Sequence, residues 1–63
     1  MYIVFFSTSN VFKAEEILKL SGIECEVVPT PVSDRAYCGV CLKVDNGVSL
    51  ESISDIEYSM MEE

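Results

Sequence analysis

The sequence predicts a small α+β domain: a βαββα two-layer sandwich whose three-stranded sheet, of order 1-3-2, carries two helices on one face. Three observations predict it. A β-prone run opens the chain at Tyr2-Ile3-Val4-Phe5-Phe6. An apolar stripe of helical period follows over residues 11–21. Two short alternating segments come next, and a second helically spaced run closes the chain. At 63 residues this is one domain, 1–63, with no internal repeat or linker.

The opening strand is apolar on both faces, which suggests cover on both sides. Ser7-Thr8-Ser9-Asn10 ends it, and Ser9 or Asn10 can cap the helix that follows by accepting from an orphan backbone N–H. At 100° per residue, Val11, Ala14, Ile17, Leu18 and Ser21 fall on one stripe. Glu15 and Lys19 form a favourable i,i+4 pair on its flank. Gly22 supplies a left-handed stop.

Residues 23–28 alternate, with Ile23, Cys25 and Val27 facing one way and Glu24, Glu26 and Val28 the other. Cys25 reads as a packed, inert thiol. Pro29-Thr30-Pro31 then breaks the ladder, since each proline lacks an N–H and fixes φ. The non-periodic stretch through Tyr37 delivers Cys38-Gly39 to a third strand over residues 39–45. Asp45-Asn46-Gly47 is a turn. Leu50, Ile53, Ile56 and Met60 then recur at three, three and four residues, which predicts a second helix over about residues 49–60, with Ser49 as its cap. A hairpin through Asn46-Gly47 is the alternative.

A right-handed crossover between the first two strands leaves room for the third between them, antiparallel to both. The result is a ferredoxin-like fold without its last strand. The first strand is then a greasy edge, a template for pairing. So short a chain buries only about 60 % of its surface, and usually needs a disulfide, a metal or a second copy. A homodimer covering that edge is the expectation.

Eleven acidic residues face four basic ones, for a net charge of −7. That sign opposes binding to nucleic acid or anionic lipid. The absence of histidine removes a histidine base and a histidine-bearing zinc site. Three cysteines do not make a secreted disulfide framework, and the six-residue apolar start with no preceding base fits neither a signal peptide nor a membrane span. A cytoplasmic protein with reduced thiols and no membrane association is expected. Phosphate loops, serine elbows and zinc-protease motifs are absent, so no cofactor or metal is implied and a carrier or binding module is favoured over an enzyme.

Cys38 is the candidate reactive residue. A polar loop precedes it, Gly39 permits close backbone approach or a positive φ, and Arg35 can favour a thiolate if the loop folds back. The bland alternative is a loop cysteine that merely packs. Cys38-Gly39-Val40-Cys41 is also a C-x-x-C, with Cys41 as a candidate resolving thiol. On a strand, however, positions three apart face opposite sides. A redox or metal role requires the thiols to converge, or two pairs to meet across a dimer.

These residues carry a resemblance. The Tyr2-Ile3 strand, the Phe12-Lys13-Ala14-Glu15-Glu16-Ile17-Leu18 helix, the Pro29-Thr30-Pro31 segment and Cys38-Gly39-Val40 together resemble the Se/S carrier protein-like family of small bacterial domains, over about residues 2–44. The resemblance implies a cysteine, here Cys38, that carries sulfur or selenium as a persulfide or perselenide. It also implies that Pro29 and Pro31 rigidify a substrate loop, with Thr30 between them, facing that cysteine. Cysteine desulfurases and sulfur or selenium acceptors are the implied partners. Two positions depart from the family pattern: Val32 stands where a basic residue is frequent, and Cys41 replaces a small apolar residue. Sulfur carriage needs an accessible thiolate and no deep pocket, which suits 63 residues. The reading from another class is a non-catalytic dimerising or interaction module with Cys38 packed.

Overall fold

The computed structural model describes residues 1–31 and 37–61. It contains β1 (Tyr2–Phe5), α1 (Thr8–Leu20), β2 (Cys25–Pro29), β3 (Val40–Val44), a single 3-10 turn (Glu51–Ile53) and β4 (Tyr58–Met61). The sheet has the order β2-β3-β1-β4, and every neighbouring pair is antiparallel. The inserted third strand is therefore as expected, and β1 and β2 run parallel on either side of it.

The end of the chain differs from the expectation. Residues 49–60 form neither a second helix nor a hairpin with β3. They make one 3-10 turn and then β4, which pairs with β1 in the register Phe5↔Tyr58, Val4↔Ser59, Ile3↔Met60 and Tyr2↔Met61. The order 4-1-3-2 is the ferredoxin-like sheet with its last strand present and its second helix reduced to a turn. The physical reason lies in β1: its unpaired edge is satisfied by the chain's own tail. With β4 paired along it, that edge of β1 is not open to a second copy. Ile3, Val4 and Phe5 are all fully buried, as an interior strand should be.

The helix begins three residues earlier than its apolar stripe. Ser7 is the cap, its Oγ accepting from the Asn10 amide at 3.4 Å. The first turn, Thr8-Ser9-Asn10, is polar and so invisible to hydrophobic periodicity. Val11, Ala14 and Leu18 are buried, Ile17 is half-buried and Ser21 is the exposed C-cap. Glu15 and Lys19 pair at 3.1 Å. Gly22 sits at φ 80°, with Gly22 N donating to Lys19 O and Ile23 N to Leu18 O. This is a Schellman motif, the end that the glycine predicted.

One face of the sheet packs against α1. Ile3, Phe5, Leu42 and Val44 meet Val11, Ala14 and Leu18 there, and Ile53 and Ile56 complete the cluster. Val4 and Cys41, also fully buried, lie outside that cluster, on the sheet's other face. Cys25 and Val27 pack toward the helix while Glu24 and Glu26 are exposed, as the alternation predicted.

Candidate functional site

The site is assembled where the C-terminal ends of β1 and β2 meet the start of β3. Pro29 closes β2 opposite Val40. The next residue, Thr30, precedes Pro31 and is thereby biased toward extended backbone, so it continues the ladder for one more step. Thr30 N donates to Gly39 O at 3.0 Å. The alternation of an antiparallel ladder then turns the Pro29 nitrogen toward the free edge, where a missing donor leaves nothing unsatisfied.

Cys38 is held from three directions. Its amide donates to Phe5 O at 2.9 Å, its carbonyl accepts from Thr30 Oγ1 at 2.8 Å, and its thiol donates to Val40 O at 2.9 Å. The residue is half-buried and packs against the helix-side core. Its thiol is free. Immediately before it, the ring of Tyr37 stacks on Phe6 with centroids 5.2 Å apart. Phe6 directly follows β1, and Ser7 caps α1, so Cys38 is tied to the junction from which the helix starts.

The C-x-x-C pair does not converge. Cys38 packs on the helix side, whereas Cys41 is fully buried outside that cluster, as opposite-face geometry requires. Cys41 Sγ lies 3.9 Å from Pro29 O. Burial pushes its thiol above the ordinary range, neighbouring Cys38 pushes the same way, and a hydrogen bond with Thr30 partly opposes both. Cys25 is also raised, first by burial and then by Glu15, with Lys19 opposing; its Sγ lies 3.9 Å from Glu15 O.

Gly39 corrects one expectation. Its φ is not positive, and a Cβ there would meet nothing within 4 Å. Among the described residues, neither strain nor close approach requires a glycine. The residue leaves bare, exposed backbone beside Cys38. Pro31 is exposed next to Thr30, and Arg35 lies outside the described residues. Among the described residues no cluster of three or more His, Cys, Asp or Glu could hold a metal, and no helix is long and apolar enough to cross a membrane. A groove of about 580 Å³, lined by Lys19, Cys25, Glu26 and Lys43 among others, lies at the opposite end of β2 and does not include Cys38.

Sequence reasoning did not find the contributions of Phe5 and Tyr37, because nothing local pairs Phe5 with Cys38 or Tyr37 with Phe6. It placed Thr30 in the loop without assigning its hydroxyl a partner.

With this geometry in view, comparison with family models matches residues 1–58 to the family described as "Putative Se/S carrier protein-like". The chain belongs to that family. No curated protein and no solved structure matches it. The Se/S carrier-like match runs past the segment that carried the resemblance, through the 3-10 turn to the first residue of β4.

Proposed function

We propose that Cys38 carries sulfane sulfur or selenium between a donor and an acceptor protein. A free, half-buried thiol, fixed at a strand junction beside bare backbone, supports this reading most directly. The family description points the same way.

The chemistry balances without an added oxidant. The Cys38 thiolate attacks the terminal sulfur of a donor persulfide, forming Cys38–S–SH and releasing the donor thiolate. An acceptor nucleophile then takes the terminal sulfur and returns Cys38 to its thiolate. The thiol first leaves its hydrogen bond to Val40 O, which serves the S–H form. Gly39 adds no side chain beside the thiol, and among the described residues nothing crowds its Cα. Cys41, buried on the opposite face, is not positioned to resolve the persulfide as a disulfide. Loss of the sulfur as sulfide through that route is thereby disfavoured. A net charge of −7 suits partners with basic docking surfaces. A cysteine desulfurase is the proposed donor.

The reading as a non-catalytic interaction module is favoured by one observation, the packing of Cys38 against the core. Sulfur loading separates the two. Incubation with a cysteine desulfurase and cysteine gives a reductant-labile gain of one sulfur on a carrier and none on a module.

A further inference from the structure

We propose that Thr30 is the positioning residue for Cys38, holding the Cys38–Gly39 segment closed against the end of β2. The inference rests on the reading of Cys38 as the reactive thiol.

Two independent hydrogen bonds run from this one residue to consecutive carbonyls. Thr30 Oγ1 donates to Cys38 O at 2.8 Å, and Thr30 N donates to Gly39 O at 3.0 Å. The backbone bond is a ladder bond that any non-proline residue would make. The hydroxyl bond is specific to the side chain. Proline at 29 fixes φ on one side and proline at 31 keeps Thr30 extended on the other, so the side chain is aimed before the bond forms. A β-branched side chain also has few χ1 choices to lose.

The Cys38 carbonyl is the group next to the reactive side chain's own Cα. Fixing it, with the Cys38 amide already held by Phe5 O, leaves χ1 as the free rotation that carries Sγ between Val40 O and solvent. Thr30 therefore sets how far the thiol is guarded and in which orientation it meets a partner. It acts through Cys38 and does not touch the reacting sulfur of a donor.

Alkylation of Cys38 by iodoacetamide, mapped by mass against Cys25 and Cys41, tests this without reference to sulfur carriage. Thr30→Val keeps the shape and removes the donor. It should raise the Cys38 rate about fivefold, the factor expected from one lost hydrogen bond. Thr30→Ala should do the same, and Thr30→Ser should restore the wild-type rate to within twofold. Hydrogen exchange of the β1 and α1 amides should stay unchanged, which separates local opening from unfolding. A Thr30→Val rate within twofold of wild type, a serine variant that behaves like valine, or acceleration matched by faster exchange in β1 would overturn the proposal. If the wild-type chain takes up no sulfur yet shows this alkylation pattern, the carrier reading fails and the positioning role stands.

Discussion

The carbonyl of Phe5 accepts from the amide of Cys38 at 2.9 Å, so the candidate thiol hangs from the last residue of β1, one of the two interior strands. Phe5 is fully buried in the core, and its ring lies 6.3 Å from that of Tyr58 on β4. Core, tail and site thus share one residue. Whatever loosens β4 reaches Cys38 through Phe5.

Tyr58→Ala removes the aromatic contact and part of the cover over Phe5. The expected cost is about 2 kcal/mol from lost burial and ring contact. In so small a domain that lowers Tm by roughly 10 °C, readable by calorimetry or circular dichroism. The same variant weakens the pairing that covers β1, so it should also show more self-association in sedimentation than the wild-type chain.

β1, α1, β2 and β3 are local patterns, and each was legible within a few residues. β4 was not, because its partner is β1, more than fifty residues away in the chain. The spacing of Leu50, Ile53 and Ile56 misled for a definite reason: steps of three are the period of a 3-10 helix, and an α-helix needs a mean of 3.6. Ile53, at the end of the 3-10 turn, and Ile56, three residues beyond it, are buried, whereas Met60 is 51 % exposed. The greasy β1 edge needs cover, and the tail supplies it. In the site, Cys38 and Gly39 were legible from their place before a strand. The clamp from Thr30 was not, since its carbonyl partner lies eight residues on and is reached only through the fold.

Two glycines should respond oppositely to alanine. Gly22 occupies φ 80°, so Gly22→Ala should destabilise by about 1 kcal/mol. Gly39 has no positive φ and, among the described residues, no close neighbour, so Gly39→Ala should be neutral or slightly stabilising, by up to about 0.5 kcal/mol. Urea denaturation of both variants checks the contrast. A Gly39→Ala loss as large as that of Gly22→Ala would contradict the geometry.

Stability should fall at alkaline pH in part through Cys41. Its folded thiol is raised above its ordinary value of 9.0, chiefly by burial. The unfolded chain therefore loses that proton first, and deprotonation favours unfolding. The contribution is fully present below about pH 9 and is lost as pH climbs toward the raised folded value. Under reducing conditions, Cys41→Ala should show a shallower fall in Tm between pH 8 and 10.5 than wild type. Equal slopes would mean that the thiol is not buried as described.

The measurement that bears most directly on the central claim is intact mass after incubation with a cysteine desulfurase and cysteine, on wild type, Cys38→Ser and Cys41→Ala. The account predicts a one-sulfur, reductant-labile gain in wild type and Cys41→Ala, and no such gain in Cys38→Ser. A gain that survives in Cys38→Ser, or no gain in the wild-type chain, would contradict it.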